Sequence, residues 1–187
     1  MRKSSVPPRL YDVNSREYCQ AYEFTNVHAT KNGLGVNALV FMMESETSKK
    51  DSFLQFSKIY NPGCILDLRM APRLDVFYGS RKLSFISFEE LNIEYFDFFG
   101  RIGVNSQEQL SRMEFYFVEA CVYLLSSKRY HSRPVVLFFD DDEVMQECYG
   151  YLNNSFNLHL LPVSVLSVAE FKSGLLNVKT LVDQAHK

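Results

Sequence analysis

Two segments of this 187-residue chain carry side chains that could bind an anion or a metal ion. The first follows an apolar run and contains Asp67, Arg69, Pro72 and Arg73, with Arg81 shortly after. The planar guanidinium of arginine suits phosphate and carboxylate groups, so these residues form a candidate anion site. In the alternative interpretation, which the sequence favours, Asp67 and Arg69 pair with neighbouring loops and the other charges are solvated.

The second segment is the acidic run 140–143, which includes Asp140 and Asp142. Carboxylate oxygens can bind a divalent cation, so a metal ion is the one cofactor to consider. Consecutive helical positions point in different directions, however, and four adjacent side chains cannot all converge on one ion. Acidic residues also suit the first turn of a helix. The run therefore favours a helix cap, and we assign no metal ligand.

The remaining reactive side chains have no partner at a motif spacing. The cysteines do not form a CxxC pair, which would indicate a zinc or redox site. We therefore interpret them as small buried side chains. No histidine has a serine or cysteine at triad spacing, and no GxSxG, P-loop or GxGxxG motif is present. We therefore assign no catalytic residue. The cysteines are Cys19, Cys64, Cys121 and Cys148, and the histidines are His28, His131, His159 and His186.

Composition limits the class of protein. A hydrophobic content of 47%, with 16 Phe and 11 Tyr, can fill the core of one domain. The net charge of −2 gives no general attraction to nucleic acid or to an anionic membrane. No apolar segment approaches the ~20 residues of a membrane span, and we expect no secretory signal, because no apolar stretch follows the basic residues near position 1. We expect a cytoplasmic protein with a loosely ordered segment at 1–20 and a single α/β domain at 21–187.

Strand and helix patterns alternate along the chain. Apolar runs predict strands at 38–43, 64–69, 93–99, 134–139 and 156–163. Helical spacing predicts the longest helix at 107–128, capped by Ser106 and Gln109, and a C-terminal helix capped by Ser167 and Glu170. Residues 70–80 lack a period and predict a loop. This order predicts an α/β three-layer sandwich, with a mainly parallel central sheet of about five strands and helices on both faces.

Such a fold indicates where a ligand would bind. Ligands of open α/β sheets bind outside the carboxyl ends of the strands. We expect the acidic tip after Phe139 and the Asp-Leu-Arg tip after Leu66 to lie on neighbouring parallel strands and to open onto a shared crevice. The segments at this edge are 67–81, 100–106 and 140–148, so the predicted pocket adds Pro72, Gly100, Gly103, Asp140, Asp142 and Cys148.

The order of elements resembles the bacterial domain of unknown function 488 (DUF488) over about residues 38–163. The similarity lies in the strand that ends in Asp67-x-Arg69-x-x-Pro72, the stretch 91–95, and the glycines at 100 and 103. Members of that family carry a cysteine-acid pattern and then a Cys-His-Arg triplet. This chain has Asp140 and Cys148-Tyr149-Gly150 there. The resemblance implies a retained fold without the basic pair that would bind an anion or lower a thiol pKa.

Three functional hypotheses follow. We favour a non-enzymatic module that binds a protein partner through the altered pocket or an aromatic surface. The second hypothesis is an enzyme or sensor that binds a nucleotide or another phosphorylated ligand at Asp67, Arg69, Arg73 and Arg81, with a metal at Asp140 or Asp142. The third is a nucleic-acid-binding protein that uses Arg73, Arg81, Lys82 and the basic cluster 128–133, which the net charge disfavours.

Overall fold

The computed structural model describes residues 34–47, 52–102 and 112–183. Strands and helices alternate through most of this part of the chain. The strands are β1 (Ala38–Met43), β2 (Cys64–Asp67), β3 (Glu94–Asp97), β4 (Val135–Phe139), β5 (Val165–Lys172) and β6 (Leu175–Val182). The helices are α1 (Glu44–Thr47), α2 (Ser52–Tyr60), α3 (Asp75–Tyr78), α4 (Arg81–Glu90), α5 (Phe98–Ile102), α6 (Met113–Ser126) and α7 (Asp142–Asn157).

The six strands form one sheet in the order β3-β2-β4-β1-β5-β6. The first five are parallel to one another, and β6 is antiparallel to β5. The central strands are continuous apolar runs because helices cover both of their faces; all of β4 is buried. The predicted α/β class with a mainly parallel sheet is confirmed, with six strands where about five were expected.

Two apolar cores lie on opposite faces of the sheet. Alternate residues of β1 divide between them, since successive strand side chains point to opposite faces. Leu39 and Phe41 belong to one core, and Val40 and Met42 to the other. Helices α6 and α7 contribute to the first core through residues such as Phe117 and Leu152; α2, α3 and α4 contribute to the second through Phe53, Phe77 and Phe88.

The C-terminal third differs from the prediction. The predicted strand 156–163 is wrong, because α7 continues to Asn157 and places Met145, Cys148, Leu152 and Phe156 at helical spacing in the core. His159 then adopts a φ of 55°, which takes the chain out of the helix. The residues between this helix and β5 form no strand, and Leu158 and Leu160 among them are 52% and 38% exposed.

The predicted helix at Ser167 and Glu170 is also wrong. Both residues lie in β5, opposite Thr180 and Asn177 of β6. The two strands are joined by Ser173 and Gly174, whose φ values of 53° and 79° are those of a two-residue hairpin turn. Pairing over eight residues on β6 outweighs the local capping pattern.

Smaller differences lie nearer the candidate site. The predicted loop 70–80 contains the short helix α3, and the predicted strand 93–99 is shorter because α5 begins at Phe98. Residues 81–90 form helix α4, where the Ser80 hydroxyl accepts a hydrogen bond from the Leu83 amide. Helix α6 confirms the predicted long helix from Met113 to Ser126; its predicted cap at Ser106 and Gln109 lies outside the described residues, as does the segment 1–20.

Within the three described ranges, no helix has both the length and the apolar character needed to cross a membrane.

Candidate functional site

The candidate site lies at the carboxyl edge of the sheet, where β2 and β4 end side by side. These strands are parallel neighbours, with Asp67 opposite Phe138. The Leu68 amide extends the pairing by donating to the Phe138 carbonyl oxygen at 2.8 Å. The Asp-Leu-Arg tip and the acidic tip after Phe139 therefore leave the same edge of the sheet from adjacent strands.

The guanidinium of Arg69 is bound by two carboxylates. Its Nε and Nη2 donate to the two oxygens of Asp67 at 2.9 and 2.6 Å. Its Nη1 donates to Glu44, directly after β1, at 2.9 Å. Arg69 and Asp67 are 1% and 0% exposed, whereas Glu44 is 34% exposed. One cation therefore faces two anions, and the group carries a formal charge of −1 when all three side chains are ionised.

Neighbouring groups complete the environment of this ion pair. The Arg69 guanidinium lies 4.7 Å from the ring centroid of Phe138 and 5.7 Å from that of Phe77, within the range of cation–π contacts. Nη2 also donates to the backbone carbonyl of Arg73 at 3.3 Å. The Tyr95 hydroxyl donates to Asp67 at 2.8 Å. Both oxygens of Asp67 thus accept more than one hydrogen bond.

The electrostatic consequence appears in two pKa values. Burial lowers the pKa of Arg69, but the hydrogen bonds and charges of Asp67 and then Glu44 outweigh burial and raise that pKa above its usual range. Burial, followed by the charge of Asp67, also raises the pKa of Tyr95. Arg69 therefore stays charged and Tyr95 stays a neutral hydrogen-bond donor, which are the forms that stabilise the Asp67 carboxylate.

The other predicted anion-site cations have their own contacts. Arg73 forms an exposed ion pair with Asp75 at 2.8 Å. The guanidinium of Arg81 lies over the ring of Phe85, 5.6 Å from its centroid. The structure thus brings Asp67 and Arg69 together and places Arg73 and Arg81 on different partners. Asp67 and Arg69 therefore pair with each other rather than with neighbouring loops, and Arg73 is paired rather than only solvated.

Gly100 and Pro72 of the predicted pocket carry no charge, and they affect the course of the backbone. The Gly100 amide donates to Asp97 at 2.8 Å, and a Cβ at this position would collide with the same carboxylate. Pro72 is half-buried in the loop that follows Arg69. Gly103 lies outside the described residues. Gly100 therefore allows the chain to turn closely around Asp97 after β3.

The acidic tip caps a helix. Asp141 accepts hydrogen bonds from the amides of Glu143 and Val144 at 2.8 and 3.1 Å. Asp140 and Asp142 on either side are exposed. Within residues 34–47, 52–102 and 112–183, no group of three or more His, Cys, Asp or Glu side chains is arranged to hold a metal ion. The capping interpretation therefore accounts for Asp141.

Cys148 faces the core rather than the edge. It is 0% exposed on the inner face of α7. Burial, with a smaller effect of the Glu147 charge, raises the pKa of its thiol to about 12. Burial also raises the pKa of Cys64 and Cys121. The reactive species of a cysteine is the thiolate, so these positions suit structural rather than catalytic thiols.

Thiol chemistry tests this assignment. In a Cys19→Ser variant, the buried thiols should not react with Ellman's reagent at pH 8 until the protein unfolds, because their pKa values lie well above that pH. All three should then react in denaturant. Rapid reaction of one thiol in the native protein would show an accessible thiolate and would contradict this account.

Two members of the site, Glu44 and Tyr95, were not predicted from the sequence. Glu44 could have been found, since it follows the apolar run of β1 directly and so reaches the same carboxyl edge. Tyr95 gives a weaker signal: it lies in a short alternating strand, and its role depends on the register that places it beside Ile65 in β2.

The basic cluster 128–133 lies at the opposite edge of the sheet, ahead of β4. The Arg133 guanidinium donates to the carbonyl oxygens of Asn61, Pro62, Leu91 and Asn92, at the ends of α2 and α4. Arg129 pairs with Glu94 at 2.9 Å. Arg129 and Arg133 of this cluster therefore connect the segments that lie at the amino ends of the strands.

A groove elsewhere encloses about 240 Å³ beside α7, where Phe41, Tyr149 and Lys179 are among its lining residues. The Lys179 ammonium donates to the Tyr149 hydroxyl at 3.0 Å. Asp67, Arg69 and Asp140 are not part of this lining. The groove is separate from the Arg69 site.

Comparisons of the chain with protein-family models, with curated proteins and with solved structures found no match.

Proposed function

We propose that this chain is a DUF488-like, non-enzymatic interaction module whose acidic carboxyl edge binds a cationic segment of a protein partner. The observation that carries the proposal is the position of the Arg69 guanidinium between Asp67 and Glu44. A phosphorylated ligand would have to displace one of these carboxylates. Breaking a buried ion pair is costly, so Arg69 is poorly placed to receive an anion.

The remaining charges at this edge support a cationic partner. Asp140, Asp142 and Glu143 are exposed at the start of α7. The free amides there, which could otherwise attract an anion, are partly satisfied by Asp141. Arg73 and Arg81, exposed cations that lie toward this edge, are engaged by Asp75 and by the ring of Phe85. Lysine or arginine side chains of a partner would meet a complementary surface, and phosphate would be repelled.

The resemblance to DUF488 supports the same proposal. Where that family has a cysteine-acid pattern and a Cys-His-Arg triplet, this chain has Asp140 and Cys148-Tyr149-Gly150. The retained thiol is buried, with a pKa of about 12. This chain keeps Asp67 and Arg69, but α7 has no accessible thiol and no basic pair. Such a site suits binding better than catalysis.

The position of the basic groups argues against the nucleic-acid hypothesis. Arg73 and Arg81 lie toward the carboxyl edge, whereas the cluster 128–133 lies at the amino edge. In that cluster, Arg133 is engaged by carbonyl groups and Arg129 by Glu94. These residues therefore do not form the continuous basic surface on one face that nucleic-acid binding uses.

A fluorescent lysine-rich peptide provides a direct binding test. Fluorescence anisotropy at low salt should show binding that weakens as salt rises, because exposed charges are screened. The double variant Asp140→Asn, Asp142→Asn should bind several-fold more weakly. Its control, Glu89→Gln, Glu119→Gln, removes the same charge elsewhere and should bind as the unmodified protein does. No binding, or equal weakening in both variants, would overturn the proposal.

Thermal unfolding with inorganic phosphate, ATP or Mg²⁺ tests the enzyme or sensor alternative. We expect no stabilisation by these compounds. A true ligand at a hundredfold excess over its Kd would stabilise the protein by about 2.7 kcal/mol. Stabilisation of that size, lost in Asp140→Asn or in Arg73→Ala, would replace the proposed module with a phosphate- or metal-binding site.

A further inference from the structure

Helix α4 presents large apolar side chains to solvent. Leu83, Phe85 and Ile86 are 52%, 45% and 40% exposed. The residues that face the core are Ser84 and Phe88, at 0% and 2% exposed. The Ser84 hydroxyl donates to the Leu74 carbonyl oxygen at 2.5 Å, which explains how a serine occupies the buried face. Leu83 and Ile86 are three residues apart and so are neighbours on the helix surface, whereas Phe85 lies against the Arg81 guanidinium and the Tyr95 ring. Exposed apolar side chains grouped on a helix often mark an interaction surface.

The charges at the two ends of α4 oppose the helix dipole. Arg81 and Lys82 lie in the first turn, and Glu89 and Glu90 lie in the last turn, all of them exposed. A helix is stabilised by the reverse arrangement, with acidic residues at its start and basic residues at its end. The charge order of α4 is therefore unfavourable for the isolated helix, and a second helix packed antiparallel to it would compensate these charges.

We propose that two copies of this chain associate through α4, packed antiparallel about a twofold axis at Ile86. Lys82, Ile86 and Glu90 are four residues apart and so lie along one face of the helix. Antiparallel packing with Ile86 against Ile86 of the second copy sets Lys82 of each copy opposite Glu90 of the other. Leu83, three residues before Ile86, lies beside this axis and is covered at the same time, whereas Phe85 stays under the Arg81 guanidinium.

A second copy fits this surface better than an unrelated partner does, because the surface is complementary to itself. Twofold association requires one patch to match its own rotated image. The basic start, apolar middle and acidic end of α4 meet this condition, and each end of one helix dipole would lie beside the opposite end of the other. Leu83 and Ile86 supply only part of the roughly 800 Å² per partner of a standard interface. The dimer is therefore weak and reversible.

Sedimentation velocity of the full chain over a concentration series tests the proposal. The unmodified protein should show a concentration-dependent monomer–dimer equilibrium. Ile86→Lys should shift its dissociation constant at least tenfold toward monomer. Tyr123→Lys is the matched control, since Tyr123 is 62% exposed on α6 in the other helical layer, and it should leave the equilibrium unchanged.

Charge reversal tests the antiparallel arrangement. Lys82→Glu and Glu90→Lys should each weaken the dimer because they place like charges opposite one another. The double variant Lys82→Glu, Glu90→Lys should recover it, and a mixture of the two single variants should form a heterodimer.

A monomer at every concentration would overturn the proposal. A dimer that resists Ile86→Lys, or charge reversal without recovery in the double variant, would also overturn it. This surface is separate from the acidic edge, so its failure would leave the proposed function standing.

Discussion

Replacing Arg69 with methionine is expected to destabilise the protein by about 3–5 kcal/mol, because it leaves a buried carboxylate without its cation. Asp67 is 0% exposed and accepts hydrogen bonds from the Nε and Nη2 of Arg69. Methionine has similar bulk and keeps the packing against Phe77 and Phe138, so most of the loss should be electrostatic. Urea unfolding followed by circular dichroism measures the change.

Two further variants separate charge from packing. Arg73→Met breaks an exposed ion pair that solvent screens, so it should destabilise the protein much less than Arg69→Met does. The double variant Asp67→Leu, Arg69→Met removes both buried charges and should be more stable than Arg69→Met alone, since no uncompensated carboxylate is left inside. If Arg69→Met proved as mild as Arg73→Met, the buried ion pair would not be a structural element of this protein.

Replacing Phe53 with alanine should destabilise the protein by about 3–5 kcal/mol. Phe53 is 1% exposed in α2 and lies 4.8 Å, centroid to centroid, from Phe77. Its ring also packs near Tyr78 and Phe88. A cavity there would loosen α3 and α4, and with α3 the Phe77 ring that covers Arg69. Chemical unfolding gives the magnitude.

Phe115→Ala is the matched control for Phe53→Ala. Phe115 is 44% exposed on α6, so its loss should cost about 0.5 kcal/mol or less. The difference between the two variants measures the contribution of the aromatic core beneath the site. Equal effects would mean that this core does not hold the α2–α4 layer in place.

Much of the fold could be predicted because its central strands are buried on both faces. Such strands appear as continuous apolar runs, which is why 38–43, 64–69 and 134–139 were found. The long helix α6 was found from the spacing of Met113, Phe117, Cys121 and Leu124. Once strands and helices alternate, parallel crossovers and helices on both faces follow from chain connectivity.

The C-terminal hairpin could not be predicted from the same signals. Residues 156–163 are apolar enough to suggest a strand, yet α7 continues to Asn157 and takes Phe156 into the core by its own periodicity. In β5, Ser167 and Glu170 have the spacing of a helix cap. Their side chains instead belong to a ladder with β6, which lies further along the chain. The long-range pairing of β5 with β6 therefore determines the structure of this segment, and the local capping pattern does not.

The adjacency of the two strand ends was predicted and is present, since β2 and β4 are parallel neighbours, whereas the charge pairing at this edge was left open. Asp67, Arg69 and Asp140 could be assigned to one edge from the order of elements alone. The availability of Arg69 to a ligand depends on Glu44. Glu44 can reach Arg69 because only one strand, β4, lies between β1 and β2 in the sheet. Strand order is a property of the whole chain, and no local motif reports it.

The most direct test follows the Arg69 side chain by nuclear magnetic resonance during a titration with inorganic phosphate. If its guanidinium is committed to Asp67 and Glu44, the Nε–H resonance should exchange slowly with solvent and should not move at millimolar phosphate. A saturable shift of that resonance would show that Arg69 binds the anion, and it would contradict the assignment of this edge to a cationic protein partner.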